Sequence, residues 1–388
     1  MPMGKGFTIH ENLDLGSTLL QGYDKHTRKQ SSDNEDDTPR PKRRRLGPLP
    51  RLRIAAITND TIATLCSLAY SVKSLPNSRV AAGLIVGTGC NATVPLKFNA
   101  LGQEKSAKIR NKAPTADETV VNTEFTIAGA CGPLKNITTK WDEILDKSTA
   151  RPGFQPLEYM TGGRYIGELV RVIFFDYMTT AHRPSVSAAS LPAMVVHNYS
   201  LTTTFVSAVI ARARTDGELA RELKHRMPAP ESSSWTWTVH SAGALRKVAH
   251  MVQVRSAGLI AAATAGLLAS VGEIGLTAPT GLSDTRGSER DQPPVQENTT
   301  SAGGWSSGPE ELVVAYTGGI IQHYPNFREH CQRFIDKLVM RSGPQSGGKS
   351  VYLRESRDGG IIGAGVLAGM ESNRSASQAQ RVSDTSVA

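Results

Sequence analysis

The feature that most limits what this chain can fold into is the alternation of β-prone runs with segments of helical period. Leu52–Thr58, Val80–Val86, Val120–Phe125, Leu312–Ala315 and Ser350–Arg354 read as strands. Ile62, Leu65, Cys66, Ala69 and Val72 recur at helical spacing, and Tyr165–Tyr177, Leu245–Leu268 and Asn326–Met340 read as helices. Such alternation predicts an α/β domain with a central sheet. Ligands of open α/β sheets bind at the rim where strands end and helices begin. Asn59-Asp60-Thr61 falls at such a place, and Gly87-Thr88-Gly89 and Gly318-Gly319 each follow a strand.

The chain has 388 residues, 39% of them hydrophobic, enough to bury the core of one large domain or two smaller ones. Its formal net charge of +9 could attract nucleic acid, anionic ligands or nucleotides. That charge is spread out except for Lys42-Arg43-Arg44-Arg45, so no direct nucleic-acid binding is expected. Met1–Phe7 leads into no sustained apolar run, which argues against a secretory signal. The longest apolar stretch, Ala257–Val271, is too short to span a bilayer and is expected to be a buried helix, with no membrane partner. Cys66, Cys90, Cys131 and Cys331 show neither a CxxC pair nor metal-ligand spacing. Reduced thiols in a cytoplasmic or nuclear protein, without a metal site, are expected.

Three stretches break the pattern. Lys29–Pro50 is charged and Pro-rich, and reads as a solvated insert. Its run Lys42–Arg45 has the form of a signal for a nuclear import receptor, or of a charge cluster balancing Asp33–Asp37. Ala278–Pro309 and the tail Glu371–Ala388 are expected to be disordered.

Gly343–Ser350 matches the P-loop pattern letter for letter, yet a helix precedes it and a strand follows. A P-loop needs the reverse order, so a plain turn is expected. Leu13–Thr18 reads as a helix start. Asp60 could accept a hydroxyl proton as phosphoryl transfer requires, or Asn59 or Asp60 could simply cap a helix. Gly87-Thr88-Gly89 could turn backbone N–H groups toward an anion, or be an ordinary hairpin turn. Glu124 and Glu158 could accept hydrogen bonds from sugar hydroxyls. For Glu158 the alternative is helix-start electrostatics.

Taken in order, these pieces resemble the hexokinase family. The strings are Met3-Gly-Lys5-Gly-Phe7-Thr-Ile9, Asn59-Asp60-Thr61, Gly83-Leu-Ile-Val-Gly-Thr-Gly-Cys-Asn91, Asn122-Thr-Glu124-Phe125, Arg151-Pro-Gly-Phe-Gln-Pro-Leu-Glu158, Gly162-Gly-Arg-Tyr-Ile-Gly-Glu168-Leu-Val-Arg171 and Asp358-Gly-Gly. The basic insert looks like that of atypical fungal members. The resemblance implies the actin-like ATPase (ribonuclease H-like) hexokinase fold. Residues 1–28 would be a remnant of the small lobe, 29–50 the insert, 51–370 the large lobe interrupted at 278–309, and 371–388 the tail.

It also implies transfer of a phosphoryl group from ATP, with Mg²⁺, to the 6-hydroxyl of a hexose. Asp60 would be the base and Lys5 would touch the sugar and the transferred phosphate. Asn59, Asn91, Glu124 and Glu158 would hold the sugar. Gly87, Thr88 and Gly89 would hold phosphate, and Gly318 and Gly319 would lie on the adenosine side. The chain departs from the family at Gly4, Phe125 and Thr317, where threonine, tryptophan and aspartate are usual. No segment matches the family's first phosphate hairpin, Asp-Leu-Gly-Gly-Thr-Asn, or its serine-bearing sugar loop. The resemblance therefore implies an isolated chain with little activity and an open sheet edge. The rival reading is a non-catalytic, nuclear regulator or a truncated gene product.

Overall fold

A computed structural model of the chain describes residues 14–32, 50–72, 77–128, 132–182, 185–276, 310–341 and 343–385. Lys5 and Lys42–Arg45 lie outside the described residues, as do Cys131 and 277–309. The chain divides into two compact units, Met1–Asn59 with Ala364–Ala388, and Asp60–Gly363.

In the first unit, helix α1 (Leu15–Ser32) starts where Asp14 Oδ1 accepts the Ser17 N–H at 2.7 Å, the helix start expected at Leu13–Thr18. It continues through residues 29–32, which were expected to begin the solvated insert. Leu52–Thr58 is not a strand. A strand needs a ladder partner, and no described segment pairs with it. Its Leu52 and Ile57 side chains are exposed.

The second unit opens with α2 (Asp60–Val72), then β1 (Ser78–Val86), β2 (Cys90–Lys97), α3 (Gln103–Lys112) and β3 (Glu118–Asn122). Helices α4 (Lys140–Ser148), α5 (Pro156–Thr161) and α6 (Gly163–Asp176) follow, then short turns α7 (Ala193–Val196) and α8 (Thr203–Phe205). Next come α9 (Asp216–Arg226), α10 (Val239–Ser270), β4 (Glu311–Thr317), α11 (Gly319–His323), α12 (Phe327–Val339) and β5 (Ser350–Glu355). Helix α13 (Gly359–Thr385) closes the described chain. Residues 371–385, expected to be a disordered tail, are thus helical. Ala, Gln and Arg each occur twice there, and neither Gly nor Pro interrupts the helix that starts at Gly359.

The five strands order as β3-β2-β1-β4-β5. β1, β2 and β3 form an antiparallel meander, while β4 lies parallel to both β1 and β5. Alternation sorts the side chains to two faces. Ala82, Leu84, Val86, Leu312, Val314 and Tyr316 join the main core with α6, α10 and α12. Val313 and Ala315 face the other way, where Leu68 and Val72 of α2 cover them.

Helix α10 begins six residues earlier than its apolar period suggests, because Thr238 and Ser241 make a reciprocal capping box. Its Ala257, Ile260, Ala261, Ala265 and Leu268 are buried, as expected of the Ala257–Val271 stretch. By length and composition α10 could also cross a membrane, but half of its apolar window is buried inside the protein. In Gly343–Ser350, a short turn at Ser346–Gly348 leads straight into β5 and no helix follows, so the P-loop look-alike is a turn.

Candidate active site

The site grows from one close approach. A Cβ on Gly83 of β1 would sit 2.4 Å from the Thr61 carbonyl oxygen, so glycine there lets the first turn of α2 rest on the sheet. Gly83 pairs with Thr93, and Thr93 with Asn122. Asn91, two residues before Thr93, therefore shares the α2 face with Asn122. Asp60 starts α2 on that face with an exposed side chain, and its Oδ1 accepts the Thr61 N–H at 2.9 Å. That bond runs to the adjacent residue rather than to the N–H groups two or three residues on that a helix cap holds, and the carboxylate stays exposed to solvent. Asn59 immediately precedes it in the chain, in the other unit.

β3 stops at Asn122, two residues short of Glu124, which was expected to end the strand. Glu124 instead turns left-handed at φ 47°, a conformation that costs a non-glycine residue about 1–2 kcal/mol. Side chains hold it there. Asn91 Oδ1 accepts the Glu124 N–H at 3.1 Å, and Asn122 Nδ2 donates to Glu124 Oε1 at 2.9 Å. Asn91 Nδ2 donates to Asn122 Oδ1 at 2.7 Å and reaches Glu124 Oε1 at 3.4 Å. Asn122 is a site residue that the motif reading did not single out. The signal was the register: with Thr93 opposite Asn122, Asn91 falls opposite Glu124.

Glu158, in α5, is almost wholly buried, and its Oε2 accepts the Cys90 N–H at 3.1 Å. That bond ties α5 to the end of the Gly87–Gly89 hairpin. Burial, with the Glu158 charge adding, pushes the neighbouring Tyr165 phenol up to about 12.

The hairpin is clamped from behind. Gly163 and Arg164, at the start of α6, donate their N–H groups to the carbonyls of Gly87 (2.8 Å) and Thr88 (3.1 Å). In a planar trans peptide the N–H points opposite to the carbonyl. The N–H groups of Thr88 and Gly89 are therefore directed away from α6, with the exposed Thr88 side chain between them. Outward N–H groups on a tight turn are what an anion requires.

Gly318 also abuts the hairpin, at φ 121°, where a Cβ would come 2.4 Å from the Val86 carbonyl oxygen. Only glycine fits between the ends of β1 and β4. Its N–H donates to Gln322 Oε1 at 3.3 Å. Gly319 then opens α11. Asp60, Asn91, Asn122 and Glu124 thus lie on one face of the sheet, Glu158 is tied to the hairpin, and Gly318 abuts it. Phe125 is buried.

A family model described as hexokinase matches residues 81–370. The chain belongs to the hexokinase family. Among its relatives, Hexokinase-7 of Oryza sativa subsp. japonica is 25% identical over 83% of this chain and 58% of its own length. Hexokinase-1 of Nicotiana tabacum is 27% identical over 83% of this chain and 54% of its own. These relatives are plant proteins, so the expected fungal affinity finds no support. A solved hexokinase from Schistosoma mansoni, complexed with glucose, superimposes with a TM-score of 0.56 at 24% identity. That match covers 81% of this chain and 57% of the other, and gives this chain the hexokinase fold. The chain spans about half the length of the curated relatives it matches.

Proposed function

We propose that this chain supplies the sugar site and a phosphate hairpin of an ATP-dependent hexose kinase acting on the 6-hydroxyl. The observation that carries the reading is the exposed Asp60 carboxylate on the same sheet face as the bonded Asn91–Asn122–Glu124 cluster. Asp60 takes the proton of the attacking hydroxyl. Glu124, Glu158 and Asn91 exchange hydrogen bonds with the remaining hydroxyls; the family resemblance assigns Asn59 to the sugar and Lys5, outside the described residues, to the transferred phosphate. The outward N–H groups of Thr88 and Gly89 fit the phosphates of ATP, and Gly318-Gly319 fits the nucleoside side. Among the described residues no three metal-ligating side chains cluster, so Mg²⁺ would enter held mainly by the phosphates. It would neutralise charge on the oxygens being transferred.

Calorimetry with glucose, mannose and fructose tests the sugar site. Binding in the millimolar range or tighter is expected for at least one hexose, and absence of heat from folded protein would overturn the reading. Asn122 acts as a positioning residue for Glu124. Asn122→Asp sets a second carboxylate beside Glu124 and should weaken hexose binding about tenfold at neutral pH. Asn122→Ser, which keeps a donor, should lose less. Equal affinities in all three proteins would show that Glu124 does not depend on Asn122.

A further inference from the structure

β5 lies at one end of the strand order, paired to β4 alone among the described residues. A strand turns its N–H and C=O groups to alternate sides, residue by residue. The Ser350 N–H donates to the Glu310 carbonyl at 3.0 Å, and the Ser356 N–H to the Tyr316 carbonyl at 2.8 Å. Even-numbered residues of β5 therefore bond toward β4. Val351, Leu353 and Glu355 turn their backbone groups outward, where a further strand would pair. A row of such groups is a template for another chain. Room for one exists: a cleft of about 280 Å³ lies between α12 and β5, lined by Arg328, Arg333, Tyr352 and Leu353 among others.

One side chain occupies the middle of that row. Gln332, half-buried on α12, donates from Nε2 to the Val351 carbonyl at 2.9 Å. Its Oε1 accepts the Leu353 N–H at 2.8 Å. In a parallel ladder, one residue of the neighbouring strand bonds the carbonyl of residue i and the N–H of residue i+2. The Gln332 amide makes that same pair of bonds, because a primary amide carries a donor and an acceptor side by side as a peptide does. Nε2 is steered by a further bond to Asp336 Oδ1 at 2.8 Å, one turn along α12. The helix itself is fixed over β5: Cys331, Ile335 and Val339 share the main core with Val351 and Leu353.

We propose that Gln332 stands in for a parallel strand and keeps the β5 edge closed to other copies of this chain. What it shuts out is extended backbone, and two copies meeting about a two-fold axis would set β5 against β5. The inference does not rest on the kinase reading, because Gln332, Val351 and Leu353 belong to neither the sugar cluster nor the hairpin.

Gln332→Met in the full chain keeps the length and helix preference of the side chain and removes both bonds to β5. Its mass by light scattering should rise with concentration beyond that of the wild type. In dilute solution, hydrogen exchange at the Leu353 N–H should be about tenfold faster than in the wild type. Gln332→Glu keeps an oxygen for that N–H and should exchange more slowly than Gln332→Met. Adding Tyr352→Lys to Gln332→Met sets a charge on the edge strand and should return the mass to the wild-type value. Gln332→Ala repeats both readings where methionine disturbs α12. Variants without the amide that match the wild type in mass or in Leu353 exchange would overturn the proposal, because the amide would then only hold α12 to β5. Association that survives Tyr352→Lys would overturn it too, since the copies would meet elsewhere.

Discussion

Asp60→Asn should slow phosphoryl transfer from ATP to hexose by about 10²–10⁴-fold while leaving hexose affinity within about twofold. The separation follows from where Asp60 stands. Its carboxylate is exposed at the start of α2, and its one described side-chain bond is the 2.9 Å contact from the Thr61 N–H. Asparagine can keep that acceptor through its amide oxygen, so α2 should keep its start. What asparagine cannot do is take a proton. The cluster of Asn91, Asn122 and Glu124, proposed to hold the sugar, has hydrogen bonds of its own that do not pass through Asp60. The loss should therefore appear in kcat and hardly in the affinity for sugar. A radiolabelled-ATP assay beside sugar calorimetry checks both halves. Equal rates for the two proteins would remove Asp60 from the role of base, and a wild-type rate at the protein-free background would remove the proposed activity itself.

The parts of this molecule that were legible in its sequence are those that short-range physics decides. Val80–Val86 and Leu312–Ala315 carry apolar residues on both faces, and both became central strands with a helix layer on each side. The Gly87-Thr88-Gly89 hairpin was visible because its requirement for a tight turn is local. Leu52–Thr58 misled because its β propensity is equally local, while a ladder partner is not. Residues 371–385 misled in the opposite sense: polar small residues were read as disorder, although nothing in the segment breaks a helix.

Asn122 went unread because its importance lies in a cross-strand register, and β3 ends three residues earlier than the stretch Val120–Phe125 suggested.

The largest loss of stability is expected at Glu168. This residue and Arg171 sit one turn apart on α6, 1% and 6% exposed at the side chain, and make a bidentate pair at 2.6 and 2.8 Å. The pair does more than neutralise itself. Arg171 Nη1 donates to the Val195 carbonyl at 2.9 Å, and Nη2 donates to Asn198 Oδ1 at 3.0 Å. Glu168 Oε2 accepts the Tyr199 N–H at 2.5 Å. Together they fasten the irregular stretch 195–199 onto α6, whose first residues clamp the Gly87–Gly89 hairpin. Glu168→Gln keeps the shape but leaves the guanidinium buried without its counter-charge. Breaking a buried pair in this way costs about 3–5 kcal/mol. Against a total stability on the order of 5–15 kcal/mol, that is a third or more of the whole in most cases. Replacing both members, as Glu168→Met with Arg171→Met, removes the stranded charge and should cost less than the single change, even though the bonds to 195–199 are lost. Urea unfolding of the wild type, the single variant and the double variant decides between these outcomes. A single variant as stable as the wild type would mean that water reaches Arg171. A double variant less stable than the single one would mean that the backbone bonds to 195–199, rather than the neutralised charge, hold the loop.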